Sequence, residues 1–170
     1  LFEIISIILV LVLLFLGFKV LEMGWSYKIS KPHKWEEDLK KGLISSNIQQ
    51  VEKTYRDKVR FYSIWLQIER LKTNNIIGAF AELGVYKGET ANMIHEMDHT
   101  RPLHLFDTFE GFDESDLAKE VTEDIKYNTD NFSDTSLDAV KEFIDGNENV
   151  HFHKGFFPDS TKDAKEQHYA

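Results

Sequence analysis

The sequence predicts an α/β domain built on a parallel sheet and preceded by a membrane helix. Three observations carry this reading: an uncharged apolar run near the start, buried-type strands alternating with helical periods after it, and a glycine-bearing turn where the first strand gives way to a helix. With 170 residues there is room for one domain of about 100–200 residues plus an appendage. Apolar residues make up 42% and charged residues 29%, and thirteen Phe supply bulk for a packed interior. A net charge of −9, with a pI near 5.2, weighs against a nucleic-acid partner, because phosphate binding needs clustered Lys and Arg. The absence of cysteine rules out disulfides, thiolate metal sites and thiol nucleophiles.

Residues 4–18 read IISIILVLVLLFLGF without a charge, and 1–21 reach the roughly 20 apolar residues of a span if Glu3 and Lys19 snorkel outward. A cleaved signal peptide would want a small-residue cleavage site next. The chain instead continues KVLEMGWSYKISKPHKW, with Trp25 and Tyr27 suited to an interfacial belt. Lys28, Lys31 and Lys34 then place the remainder on the cytoplasmic side by the positive-inside rule. Without an initial Met, the natural amino terminus is expected upstream. The organisation expected is an anchor over 1–23, a juxtamembrane linker over 24–46 and a partial α/β domain over 47–170.

Within that domain, Val51, Tyr55, Val59, Tyr62 and Leu66 recur every three or four residues, which predicts one amphipathic helix over 48–71. Thr73, Asn74 and Asn75 end it, and IIGAFAEL (76–83) reads as a buried first strand. TANMIHEM (90–97) forms a short helix, and Pro102 introduces LHLFD (103–107), the second strand. Residues 111–133 are acidic and poor in aliphatics, which predicts a loop or flap. Ser133 or Asp134 can cap a helix through Leu137, Val140 and Phe143, closed by Gly146 and Asn147, and NVHFHKG (149–155) supplies the third strand.

The chemistry concentrates in AELGVYKGET (81–90), at a strand-to-helix turn where backbone N–H groups are available to a ligand. A dinucleotide fingerprint would need glycine where Tyr86 and Glu89 stand, and a P-loop would need Lys where Gly88-Glu89-Thr90 runs, so NAD and ATP are disfavoured. Glu82 would repel a polyphosphate and suits a cationic amino group or sulfonium, which favours S-adenosylmethionine. Asp107 ends the second strand 23 positions after Gly84, near the spacing of about 20 at which such folds place an acid against ribose hydroxyls. Plainer roles stand beside these. Glu82 could be a structural carboxylate, Asp107 a turn cap, and Thr108 and Phe109 ordinary loop and core residues. His151 and His153 share one strand face and read as the polar side of an edge strand rather than a metal pair. His95 and His99 read as surface histidines, and the acidic 113–130 stretch as solvated loop, with a substrate lid as the alternative.

Taken together, AELGVYKGET, LHLFDTFEGF and VHFHKGFFPDST resemble the macrocin O-methyltransferase family of class I methyltransferases over roughly residues 60–161. The run Asp107 to Gly111 is the most specific part. The resemblance implies the amino-terminal half of a Rossmann-like fold, with about three parallel strands and their helices. It also implies methyl transfer from S-adenosylmethionine to a hydroxyl, on a sugar or small metabolite and often with magnesium. By motif position Glu82, Gly84 and Gly88, with Val85, Tyr86 and Thr90 of the same turn, line the methionine part. Asp107, followed by Thr108 and Phe109, meets the ribose, and Gly155 and Phe156 lie around the adenine. Family members continue into a fourth strand with an Asp-rich end that holds the metal and the base. None of this falls within the 170 residues, so no catalytic residue and no metal ligand is assigned. In the usual strand order this half leaves one flank of the first strand without a partner. The partners expected are a small hydroxyl substrate, the membrane and, as an open option, a second copy of the chain. A non-catalytic, membrane-tethered binding module is the alternative.

Overall fold

The structure is a computed structural model that describes residues 2–26 (side chains to residue 22), 31–112, 117, 128–146 and 148–170. The aromatic belt expected at Trp25 and Tyr27, Lys28 of the basic flank, Asn147 and most of the acidic 113–130 stretch lie outside the described residues. The chain forms two compact units, 1–64 and 65–170.

The first unit begins with α1 (Phe2–Ser26), whose segment Phe2–Glu22 is long and apolar enough to cross a membrane, a test that a signal sequence also passes. Its apolar side chains are exposed along its length, and Lys19 pairs with Glu22 at 2.9 Å near its end. Residues assigned to a linker contain a further helix, α2 (His33–Lys40), and the single helix expected over 48–71 is two, α3 (Ser46–Thr54) and α4 (Lys58–Thr73). The break has a local cause: Tyr55 is extended, and the Asp57 carboxylate accepts the Arg60 N–H at 3.0 Å, a helix start that periodicity alone does not reveal. Trp35 packs edge-on against Phe61 and Tyr62, all three buried. Beside them the buried Glu52 accepts the Tyr62 hydroxyl at 2.8 Å and the Lys31 ammonium at 3.3 Å. Burial, then Glu52, pushes the Tyr62 hydroxyl above its ordinary range.

The second unit is built on three parallel strands in the order β1 (Phe80–Leu83), β2 (Leu103–Asp107), β3 (Val150–Lys154). Phe80 stands opposite Leu103, and Leu103 opposite Val150. Because side chains alternate, one sheet face carries Phe80, Leu103, Leu105, Val150 and Phe152. It packs with Val85, Ala91 and Phe109, and with Val140 and Ile144, into one core. Ala91 belongs to α5 (Glu89–Met97), Val140 and Ile144 to α6 (Leu137–Ile144). Gly88 caps α5 at φ +82, where a Cβ would lie 2.9 Å from the Val140 side chain and 3.3 Å from Ile144, so glycine brings α5 onto α6.

Several local expectations are corrected. The first strand starts at Phe80 rather than residue 76, because Arg101 takes the carbonyls of Gly78 at 2.8 Å and Ile76 at 3.0 Å. Ser136, not Ser133 or Asp134, caps α6 by accepting the Ala139 N–H at 3.2 Å, and Phe143 is exposed while Ile144 is buried. His95 is buried rather than on the surface. The second flank of β1 is met at one point: Ala79 donates to the His168 carbonyl at 2.7 Å, Ala170 donates back at 3.1 Å, and the parallel bridge joins Ala79 to Tyr169.

The opposite sheet face carries His104, Phe106, His151 and His153. His104 stacks on His151 at 4.8 Å and on His153 at 5.1 Å, and its Nδ1 meets His153 Nε2 at 2.9 Å. The polar-edge reading of His151 and His153 thus acquires a third, buried member from the middle strand. Burial, followed by His151 and His153, holds the His104 imidazole down to about 4, and burial followed by His151 lowers His153 against the opposing charge of Asp163. A folded-state value below the unfolded one means that the unfolded chain binds more protons between about pH 4 and 6.5, so stability falls as pH drops through that window. Urea melts of the chain and of His104→Phe are expected to differ by on the order of 2 kcal/mol less pH-dependence for the variant between pH 7 and pH 4. Equal slopes would remove His104 from the acid response.

Candidate functional site

The site grows from the carboxyl ends of the strands, where β1 turns into α5 and β2 turns into the residues after Asp107. Asp107 has the middle position, and its carboxylate is shared among three backbone donors: Oδ2 accepts Val85 N–H at 2.6 Å and Tyr86 N–H at 2.9 Å, and Oδ1 accepts Phe109 N–H at 2.7 Å. Bonds to a charged acceptor are the stronger class, so this one side chain fixes both turns relative to each other. Its carbonyl accepts the Gly155 N–H at 3.0 Å, which ties down the exit of β3 as well. The turn-cap role weighed for Asp107 is realised in this geometry, and it reaches across to the glycine turn as well as into its own.

Around this centre lies a cavity of about 370 Å³ lined by Leu83, Gly84, Tyr86, Phe106, Asp107 and Thr108, by Gly111, Phe112 and Phe132, and by Gly155, Phe156 and Phe157. Its volume lies within the roughly 300–1,000 Å³ of small-molecule sites. Gly84 has φ +82 and open space where a Cβ would point, so the turn leaves room beside the cavity. Thr108 donates its hydroxyl to the Gly111 carbonyl at 2.9 Å, closing the loop that carries Phe112.

Six predicted site residues are therefore brought together at the cavity: Gly84, Tyr86, Asp107, Thr108, Gly155 and Phe156. The other five do not line it. Val85 and Phe109 are buried in the core, Gly88 serves helix packing, and Glu82 and Thr90 lie outside the lining residues. Lining residues that the sequence did not assign to the cofactor are Leu83, Phe106, Gly111, Phe112, Phe132 and Phe157. Phe106 and Phe112 flank the predicted Asp107 run and were within reach of a closer look at it. Phe132 carried no signal, because its ring meets Tyr86 only through the fold, at 5.0 Å and 89°. No group of three or more His, Asp or Glu that could hold a metal ion occurs among the described residues.

Comparison with known proteins gives two findings. The profile of the macrocin-O-methyltransferase (TylF) family matches residues 28–170. Among solved structures, the chain is similar to the O-methyltransferase NovP, with 21% identity, a TM-score of 0.53, and coverage of 66% of this chain and 51% of that one. This likeness shows the fold, and the chain spans about half the length of that structure. No curated protein sequence matches the chain.

Asp107→Asn replaces one carboxylate oxygen by an amide that faces backbone donors. It is expected to destabilise the second unit by about 2–3 kcal/mol, read as a lower urea midpoint, because bonds to charged acceptors contribute about 1.5–3 kcal/mol each. An unchanged midpoint would mean that the two turns hold without it.

Proposed function

We propose that this chain, which belongs to the macrocin-O-methyltransferase family, supplies the cofactor half of an S-adenosylmethionine-dependent O-methyltransferase held at a membrane by its first helix. The observation that carries the reading is the cavity at the strand ends, bounded by the glycine turn on one side and by Gly155 and Phe156 on the other. In open α/β sheets this crevice is where ligands bind. The residues fit such a ligand: Gly84 leaves the space that a side chain would fill, and the aromatic lining offers flat apolar surface to an adenine ring.

When bound, the donor supplies an electrophilic methyl group on a sulfonium. The chain's own part is to hold and orient. The Gly84–Tyr86 turn, stiffened by Asp107, receives the amino-acid end, and Gly155 with Phe156 flanks the base. The roles of Glu82, Gly88 and Thr90 rest on the family pattern and are supporting ones, since these residues stand back from the cavity. The Asp107 carboxylate, already shared by three amides, acts on the ribose chiefly by shaping the turns around it. The acceptor is a small hydroxyl compound, and alignment of its oxygen with the methyl group is the main contribution of such a site. The α/β part lies on the cytoplasmic side, in keeping with the basic residues after the apolar helix.

A non-catalytic binding role draws on one observation. The carboxylate of Asp107 and the hydroxyls of Thr108 and Tyr86 are all engaged within the chain, so none is poised as a base. Methyl transfer by the whole protein from labelled donor to a hydroxyl acceptor separates the two readings.

Calorimetry on the detergent-solubilised chain should show binding of S-adenosylmethionine or S-adenosylhomocysteine and not of NADH. Preference for NADH would sink the methyl-donor reading. Removal of residues 1–23 should move the protein from the membrane fraction to the soluble fraction while leaving that binding intact. Recovery of the intact chain in the soluble fraction would end the anchor assignment.

A further inference from the structure

Two bulky residues that line the cavity adopt the left-handed backbone region, Tyr86 at φ +53 and Phe132 at +61, as does Phe109 beneath it in the core at +56. For bulky side chains this conformation is an outlier, and it persists where the surroundings over-determine it. Tyr86 is held at three points. Its N–H donates to Asp107 at 2.9 Å, its carbonyl accepts the Thr135 hydroxyl at 2.7 Å, and its own hydroxyl donates to Asp134 Oδ1 at 2.5 Å. Asp134 Oδ2 also receives the Lys87 ammonium, and the pair holds the Lys87 value above and the Asp134 value below their ordinary ranges.

The 128–136 segment arrives with its own turn formed. The Asn128 side chain accepts from Asp130 N–H at 3.0 Å and Asn131 N–H at 3.2 Å, while the Asn128 N–H donates to the Asn131 side-chain oxygen at 2.8 Å. Such a turn needs only an anchor, and Asp134 with Thr135 provides it on the glycine turn. The docked segment sets Phe132 edge-to-face against Tyr86 at 5.0 Å and against Phe112 at 5.5 Å, and all three rings line the cavity.

We infer that Asp134 is a positioning residue for the cavity: it docks the 128–136 turn onto Tyr86 and Lys87, so that the Phe132 ring forms a ligand-contacting wall over a bound adenosyl compound. The inference rests on the methyl-donor reading above. Neither residue belongs to the strand-end motifs, and the helix cap that Asp134 could have made is supplied by Ser136.

The test uses the full chain in detergent, with S-adenosylhomocysteine as probe and hydrogen exchange of residues 128–136 as a ligand-free readout. Asp134→Ala should speed exchange in that segment and weaken binding about fivefold or more. Tyr86→Phe should do the same, and the double variant should lose no more than the worse single one, because both break one device. Asp134→Asn, which keeps an acceptor for the Tyr86 hydroxyl, should recover most of the binding, and Phe132→Ala should weaken binding without speeding exchange. Glu37→Gln, which alters the exposed His33–Glu37 pair of the first unit, should bind as the parent does. Unchanged exchange in Asp134→Ala overturns the docking role. Parent-like binding by Asp134→Ala or Phe132→Ala, or full additivity in the double variant, overturns the positioning role. A parent chain that binds no S-adenosylhomocysteine overturns the methyl-donor reading itself, while the exchange comparison still decides whether Asp134 docks the turn.

Discussion

The architecture of the second unit converges on one carboxylate at the end of its middle strand. Among the described strands, β2 is the one with a strand on each side, so a residue at its tip can reach the turn after β1, the turn after itself and the exit of β3 together. Asp107 does this with its side chain toward Val85, Tyr86 and Phe109 and with its carbonyl toward Gly155. A neutral acceptor could take the same donors, but a charged one binds them more strongly and so limits the play of the turns it touches after β1 and β2. The order of these turns is therefore concentrated at one position, while the Phe132 wall is tied down separately by Asp134 and Thr135.

The two faces of the sheet divide the remaining work. One is aliphatic and aromatic, closed by α5 and α6 through the bare backbone of Gly88, and it provides the burial that holds the unit together. The other replaces aliphatic packing with stacked imidazoles and the rings of Phe106 and Phe157. Imidazoles stack as flat apolar bodies only while they are neutral, which makes this face a conditional contributor to stability where the first is unconditional.

What the sequence disclosed, and what it hid, follows from the range of the interactions. Strands β2 and β3, the glycine turn and Asp107 were legible because each is written as a pattern in adjacent residues, even though two of the partners of Asp107 lie more than twenty positions away. The length of β1 was not, since Arg101 claims the carbonyls of Ile76 and Gly78 from more than twenty positions away. The division of the 48–71 helix was hidden for the opposite reason: the apolar period runs on through Tyr55 and Val59, while a single side chain, Asp57, starts a new helix between them. The aromatic half of the cavity was the least visible. Phe132 looks like any loop phenylalanine until Tyr86, Thr135 and Asp134 meet, and the glycine motif names one side of the site without any hint of the other.

The bridge between Ala79 and Tyr169 has a bearing on how the chain is made. Its two residues are 90 positions apart, 79 to 169, so the N–H and carbonyl of Ala79, just before β1, lack these partners until synthesis has passed Tyr169. At about 5–20 residues per second, that is an interval of roughly 5–18 s. Throughout it, Ala79 presents an unpaired N–H and carbonyl at the entry to β1, a ready template for a wrong strand. The entry to β1 is thus open to mispairing after the glycine turn has been translated and before segment 168–170 arrives, a window in which chaperone engagement protects it.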